Sequence, residues 1–179
     1  SNYTLTIGSL NGDDTVIEAA VTGPTYAIAT TATTVSAAAV TPSTSVELVQ
    51  SKYQINFAVG AGGYLDNTST ITLTFPSDTY IPTGSLSGVT VNLSTATATA
   101  NTGTREVVIY SPVVVSNLGT VAIEIPSGAG IKNPTAGTGY IAQVKTSSET
   151  TNVDSDAYRI SPATQLSFSS LIATNTMVN

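Results

Sequence analysis

Apolar and polar residues alternate along most of this chain with the two-residue period of a β-strand. The clearest alternation lies in four segments, at 53–59, 71–75, 107–109 and 121–125. Gly, Pro and Asn lie between these segments, as is typical of turns that connect short strands. Because apolar residues do not recur at the three- and four-residue spacing of a helix, the pattern predicts an all-β protein.

The N-terminal alternation predicts a hairpin. Tyr3, Leu5 and Ile7 share one face of a first strand, and Asn11-Gly12 marks a turn before a second strand at 15–21. We therefore expect two short strands before the main body of the chain.

The rest of the pattern predicts a β-sandwich. We expect a strand over 89–93 with Leu93 facing inward, and then a loop or weak edge hairpin over 94–104. A further inward stripe is predicted over 140–144, and 158–160 closes the domain. Short strands at this spacing predict an immunoglobulin-like β-sandwich with extended terminal strands.

A short phrase occurs twice, at a spacing of about one domain length. It reads Tyr26-Ala27-Ile28 followed by Ala32-Thr33-Thr34-Val35-Ser36, and again Tyr158-Arg159-Ile160 followed by Ala163-Thr164-Gln165-Leu166-Ser167. The phrase indicates one complete module between an end-of-module piece and an opening strand, although chance similarity is an open alternative. We predict an N-terminal strand or hairpin over 1–25, a sandwich over 26–162 and a C-terminal strand over 163–179.

Charge is scarce and acidic. Of 179 residues 9% are charged, five are basic, and the net charge is −6. This supplies no cationic surface for nucleic acid, and no apolar run is long enough for a membrane span. Abundant Ser and Thr are more usual in secreted and cell-surface β-proteins, so we expect an extracellular or cell-surface location.

The chain lacks the residues of most catalytic sites. It has no His, Cys or Trp, which removes the commonest general base, thiolate chemistry and the usual aromatic sugar platform. Candidate acids such as Glu47 and Glu124 lie on alternating segments, where a solvated position is expected. We therefore predict a protein that is not an enzyme.

Calcium is the one cofactor that the sequence leaves to be considered, and our expectation is that none is bound. Carboxylates on loops could supply oxygen ligands at Asp154-Ser155-Asp156 with Glu149, at Asp13-Asp14, or at Asp66-Asn67, but none has the spacing of a preformed calcium loop. Three sequons, at Asn2, Asn67 and Asn92, are candidate glycosylation sites.

Several longer motifs resemble a recognised family. They are YQINFAVGAGGYL (53–65), STITLTFPSDTYIP (69–82), GVTVNL (88–93), VAIEIPSGAGIKNPTAGTGY (121–140), VKTSSE (144–149) and YRI (158–160). Together they resemble an immunoglobulin-like repeat module of secreted and surface-layer-type proteins of bacteria and archaea. The resemblance implies an extracellular building block without enzymatic activity, although such modules usually occur in series.

We predict a structural subunit of an extracellular, pilus-like filament or surface lattice (S-layer), in which copies of the chain join head to tail by donating a terminal β-strand. The candidate donor residues are Tyr3, Leu5 and Ile7, with Leu166, Phe168 and Ile172 as the second choice.

Other interpretations stay open at this stage. Both termini could pair within their own subunit and complete an ordinary sandwich. The chain could instead be an adhesin or carbohydrate-binding domain that uses loops at 60–67 or 94–104, or an accessory domain of a cell-surface hydrolase.

Overall fold

The structure, a computed structural model, describes residues 2–13, 16–27 and 34–164. The chain divides into two compact units, Ser1–Ala32 and Thr33–Asn179, named here the N-terminal unit and the sandwich unit. Within the described residues there is no α-helix, and the one helical turn is a short 3₁₀ segment at Ser127–Ala129. The prediction of an all-β protein is confirmed.

In its described residues, the N-terminal unit contains four strands, which pair in two antiparallel sets. They are β1 (Asn2–Tyr3), β2 (Thr6–Leu10), β3 (Val16–Thr22) and β4 (Tyr26–Ala27). β1 pairs with β4, and β2 pairs with β3 across the turn that Asn11-Gly12 predicted. Within this turn the Asp13 amide donates a hydrogen bond to Asn11 Oδ1 at 3.2 Å.

The sandwich unit has two large antiparallel sheets. The first has the spatial order β10-β9-β13-β6-β5. Its strands are β5 (Ala39–Pro42), β6 (Tyr53–Ala58), β9 (Thr90–Val91), β10 (Ser94–Thr95) and β13 (Thr120–Ile125).

The second large sheet has the spatial order β16-β15-β7-β12-β11-β8. Its strands are β7 (Thr70–Thr74), β8 (Gly84–Leu86), β11 (Ala98–Asn101), β12 (Glu106–Tyr110), β15 (Gln143–Thr146) and β16 (Val153–Asp154). A separate two-stranded ladder joins β14 (Gly137–Tyr140) to β17 (Tyr158–Ile160).

The core lies between the inner faces of the two large sheets. Ile55 and Ile123 come from the first sheet, Leu73 and Ile109 come from the second, and all four are almost completely buried in one continuous cluster. Tyr53 and Phe75 meet edge to face with ring centroids 5.2 Å apart. The alternating sequence pattern thus explains the sandwich, because every second side chain of each central strand points into the layer between the sheets.

Three sequence-based expectations differ from the structure. Leu93 is 96% exposed rather than inward, because Asn92 (φ 47°) and Leu93 (φ 68°) reverse the chain between β9 and β10. The segment 94–104 does not form one loop or one edge hairpin: β10 pairs with β9 at the edge of the first sheet, whereas β11 lies inside the second sheet between β12 and β8. The stripe over 140–144 is divided between β14 and β15.

A buried asparagine secures the loop that joins β13 to β14. Asn133 is fully buried, and its Oδ1 accepts a hydrogen bond from the Tyr53 hydroxyl at 2.7 Å. Its Nδ2 donates to the carbonyl oxygens of Thr44 and Val46, both at 2.7 Å. This loop is therefore structural, and burial raises the pKa of the Tyr53 hydroxyl so that it remains a donor.

The first and the last described residues of the sandwich unit lie at opposite poles. At the first pole, where β6 ends, the Ser36 amide donates to the Ala58 carbonyl at 2.9 Å. At the opposite pole Ser161 bridges to Val46 in a parallel sense, beyond the end of β5. Glu47 Oε1 also accepts a hydrogen bond from the Ala163 amide at 3.1 Å, so the last described residues are held at this second pole.

Candidate subunit interface

The β2–β3 hairpin presents large apolar side chains to solvent. Ile7 lies opposite Val21, and Leu10 lies opposite Val16, so each pair shares one face of the ladder. Six large apolar residues of this unit are more than half exposed: Leu5, Ile7, Leu10, Val16, Ile17 and Val21. Such a concentration is unusual for a soluble surface and is typical of an interaction site.

One face of this hairpin is concave. Leu5, Ile7, Val21, Gly23 and neighbouring residues line an open apolar cavity of about 420 Å³. The opposite face has a different chemistry, because Thr6 and Thr22 pair there with their hydroxyl oxygens 3.3 Å apart. At this end of the hairpin, one face is therefore apolar and available for contact, and the opposite face is polar.

Of the predicted donor residues, the structure places three in this unit. Tyr3 lies on β1, where its backbone pairs with Tyr26. Leu5 and Ile7 are 58% and 66% exposed. The second-choice residues Leu166, Phe168 and Ile172 lie outside the described residues.

The sequence predicted the second strand of this hairpin, but its residues were not among the candidate interface residues. The predicted set stopped at Ile7, although Leu10, Val16, Ile17 and Val21 are equally exposed. The signal was present in the Asn11-Gly12 turn, since a hairpin places its second strand beside the first. The candidate interface is therefore a hairpin and not a single strand.

The candidate glycosylation sites have different environments. Asn2 lies on β1, and Asn67 lies in an exposed turn after Leu65. The Asn92 side chain already has a structural role, because its Nδ2 donates to the Thr120 carbonyl at 3.2 Å and its Oδ1 accepts from the Ala122 amide at 2.8 Å. Glycosylation at these three sites stays a prediction.

A buried carboxyl group lies at the first pole of the sandwich. Glu149 has no solvent exposure; its Oε1 accepts a hydrogen bond from the Gly60 amide at 2.8 Å, and its Oε2 has no partner. A Cβ atom at Gly60 or Gly63 would overlap this carboxyl group, so glycine is required at both positions. Burial raises the pKa of Glu149, and the Gly60 hydrogen bond opposes this in part.

Two of the candidate calcium ligands, Asp154 and Asp66, already accept hydrogen bonds within the protein, and Asp14 lies outside the described residues. Asp154 Oδ1 accepts a hydrogen bond from Gln143 at 2.9 Å, at the far end of β15 from Glu149. Asp66 Oδ1 closes its own turn by accepting from Thr68 and Ser69, and these hydrogen bonds lower the pKa of the Asp66 carboxyl. Among the residues at 2–13, 16–27 and 34–164, no three acidic side chains gather into a metal-binding group.

The loops considered for ligand binding contain one exposed aromatic residue. Tyr64 is more than half exposed, and its carbonyl oxygen accepts a hydrogen bond from the Ser148 hydroxyl at 2.7 Å. The second predicted binding loop, 94–104, contains β10 and β11 and is part of the sheets. Throughout the described part of the chain, no helix has the length and apolar character needed to cross a bilayer.

Comparison with known proteins gives no matching family model and no matching curated protein. Among solved structures, that of BslA, described as a bacterial hydrophobin, is similar with a TM-score of 0.42 and 16% sequence identity. The match covers 72% of this chain and 99% of that chain. A similarity at this level establishes neither a shared family nor a shared activity.

Proposed function

We propose that this protein is a structural subunit of an extracellular filament or surface lattice, in which copies join head to tail through the N-terminal unit. The observation that carries the proposal is the exposure of six large apolar side chains on one hairpin. Burial of each such side chain stabilises a contact by about 1.5–3 kcal/mol. An interface that covers this hairpin would therefore be strong.

The first and last described residues of the sandwich unit lie at opposite poles, which supports a head-to-tail arrangement. The segment that follows the N-terminal unit joins the sandwich at the first pole, beside Ala58. The last described residues lie at the opposite pole, beside Glu47. A contact between the N-terminal unit of one copy and the sandwich of the next is heterologous, and contacts of this type build open polymers when the rotation does not close a ring.

We also propose that the sandwich is an immunoglobulin-like module of the kind used in secreted and surface-layer-type proteins. The order β5, β6, β13 and β9 in one sheet, with β7 beside β15 and β16 in the other, supports this assignment. The chain departs from the pattern at β8 and β11, which extend the second sheet beyond β12. An extracellular location is part of the same proposal and rests on the Ser- and Thr-rich composition.

The experiment compares the full chain with two double variants of the hairpin. Ile7→Ser with Val21→Ser removes one apolar cross-strand pair, whereas Thr6→Ser with Thr22→Ser changes the neighbouring polar pair and is the matched control. We expect filaments or sheets in electron micrographs of the full chain and of the control. The apolar-pair variant should remain monomeric with an unchanged circular dichroism spectrum.

Two results would contradict the proposal. One is a full chain that stays monomeric by light scattering at every concentration reached. The other is equal assembly of all three proteins, since the exposed apolar pair would then have no part in joining the subunits.

A carbohydrate-binding or adhesin function is the second candidate. The exposed ring of Tyr64 on the 60–67 loop favours it, because sugar sites commonly use an exposed aromatic surface. Tyr64→Ala should then abolish retention on a glycan array while assembly is unchanged. Filaments that form without glycan retention would contradict the adhesin function and support only the structural function.

A further inference from the structure

The N-terminal unit repeats the pairing of the last strands of the sandwich. Tyr3 on β1 pairs with Tyr26 on β4, and Tyr140 on β14 pairs with Tyr158 on β17. Next to these pairs, the Gly23 amide donates to the Leu5 carbonyl at 2.8 Å.

The same hydrogen bond recurs in the sandwich, where the Ser155 amide donates to the Ala142 carbonyl at 2.8 Å. Leu5 and Ala142 both lie two residues after the first tyrosine, and Gly23 and Ser155 both lie three residues before the second. The correspondence therefore extends beyond the tyrosine pairs.

The inner strands correspond in the same register. Thr6↔Thr22 and Ile7↔Val21 in the N-terminal unit match Gln143↔Asp154 and Val144↔Val153 in the sandwich. The two copies of the repeated phrase begin at Tyr26 and Tyr158. The distance along the sequence from Tyr26 to Tyr158 equals that from Thr22 on β3 to Asp154 on β16. Backbone pairing and sequence thus agree that β1–β4 is a second copy of the β14–β17 substructure.

The two copies differ in the strand that pairs with the second edge of β15 or of β2. In the sandwich, β15 pairs on its other edge with β7, Val144 lies opposite Leu73, and both Ala142 and Val144 are buried. In the N-terminal unit, β2 pairs with β3 alone within the described residues, and Leu5 and Ile7 are exposed. Within the described residues, the N-terminal copy thus has exposed apolar side chains and no strand on the second edge of β2, where β15 has β7.

We propose that β2 docks on β7 of a second copy of this chain, in the position that β15 occupies within one copy. This inference rests on the proposed function and names the acceptor site for it. The register follows from the correspondence: Thr6 lies opposite Thr74, Ile7 opposite Leu73 and Ser9 opposite Ile71. Ile7 then enters the core position of Val144.

Exchange of β15 for β2 has two physical consequences. Because β15 belongs to the same chain as β7, it has the advantage of a high effective concentration, so exchange requires a high protein concentration and is slow. Leu5 and Ile7 are larger than Ala142 and Val144, so they bury more apolar surface but require neighbouring side chains to adjust. β7 has the same main-chain donors and acceptors for either strand.

The first test uses disulfide trapping in a chain that has no cysteine of its own. Thr6→Cys with Thr74→Cys places two thiols at directly opposite positions of the proposed ladder, where Cα atoms lie about 4.5–5.5 Å apart and a disulfide can form. Thr6→Cys with Thr99→Cys is the matched control, since Thr99 lies on β11 and faces β12 and β8.

We expect a ladder of disulfide-linked oligomers from the first pair on a non-reducing gel, and at least tenfold less from the control. Equal crosslinking of both pairs would overturn the proposed register. A disulfide within single chains would overturn docking on a second copy. Filaments that form without crosslinking at 6 and 74 would contradict this acceptor site while the proposed function still holds.

A second variant opens the acceptor site. At a protein concentration low enough for the unmodified chain to be monomeric, Val144→Asp in the full chain should release β15 from β7 and produce oligomers. Adding Ile7→Asp should return the protein to a monomer in light scattering. A Val144→Asp protein that stays monomeric would contradict the proposal. Oligomers that persist after Ile7→Asp would also contradict it. They would be aggregates of an unfolded sandwich, which form whether or not Ile7 is present.

Discussion

Glu149 illustrates how one residue can make stability depend on pH. Its carboxyl group is buried with one oxygen unpartnered, and burial raises the pKa above the ordinary value of 4.5. A group with a raised pKa in the folded state favours folding below the pKa of the unfolded chain. This contribution is lost as the pH rises through the folded-state pKa.

We expect Glu149→Gln to be more stable than the wild type at pH 8 and no more stable at pH 4, because the amide cannot ionise. Urea unfolding at the two pH values measures this. Asp66→Asn is the control of opposite sign, since hydrogen bonds from Thr68 and Ser69 lower the pKa of Asp66. Asp66→Asn should be less stable than the wild type at pH 8, and this difference should disappear well below pH 4. A Glu149→Gln protein with the same pH dependence as the wild type would contradict the assignment.

Asn133 has a larger structural role, because all of its side-chain hydrogen bonds are made inside the protein. Asn133→Ala leaves the Tyr53 hydroxyl and the Val46 carbonyl oxygen without their partner. The Thr44 carbonyl oxygen keeps only the longer hydrogen bond from the Ser51 hydroxyl, at 3.4 Å. We expect a loss of about 3–5 kcal/mol in the free energy of unfolding by urea. Asn117→Ala removes one exposed hydrogen bond to the Ala61 carbonyl and should cost less than about 1 kcal/mol. Similar losses for the two variants would show that the Asn133 cluster is not important for stability.

At the scale of the element, the turn between β9 and β10 contains a strained leucine. Leu93 has φ 68° and is almost fully exposed, so its side chain gains little packing in return for a backbone conformation that disfavours it. We expect Leu93→Gly to raise the free energy of unfolding by about 1 kcal/mol, as followed by thermal denaturation. Leu93→Ala keeps the strain and should give no gain. An equal gain from both substitutions would indicate that exposure of the leucine, and not its backbone, is unfavourable.

The sequence was most informative where strands are central and was least informative at short or edge strands. The alternation at β6, β7, β12 and β13 predicted their inward residues correctly, because both neighbours of each strand reinforce a single register. β11 was missed because its inward residues are alanines, which give little hydrophobic contrast with the Thr residues beside them. Leu93 was placed wrongly because an Asn-Leu turn lacks the glycine that usually marks such a reversal.

The candidate interface was predicted only in part for a related reason. The pattern identified Leu5 and Ile7 as apolar residues on one strand face, but periodicity does not indicate which strands lack a partner. The exposed residues of β3 follow from the three-dimensional pairing, as does the correspondence between β2 and β15. The residues predicted beyond 164 stay predictions.

At the scale of the whole molecule, the fold depends little on ion pairs. Within the described residues Lys52 and Glu124 form the one salt bridge, at 3.2 Å, and both side chains are more than one-third exposed. An exposed pair of this kind contributes about 0–1 kcal/mol. We expect the thermal midpoint of the sandwich to change by no more than about 2–4 °C between low and 1 M sodium chloride, as measured by calorimetry. Lys52→Met should behave like the wild type. A large fall in the midpoint with salt would contradict this expectation.

The parallel placement of the first and last segments of the sandwich has a mechanical consequence. The Asp156 amide donates a hydrogen bond to the Ala38 carbonyl near the first pole, and Ser161 bridges Val46 in a parallel sense at the second pole. If copies join head to tail as proposed, a tensile load along the polymer would pull these neighbouring segments in opposite directions. Their hydrogen bonds would then be sheared together instead of being opened one at a time. The rate of forced rupture, and not the equilibrium stability, would set the load that each link withstands.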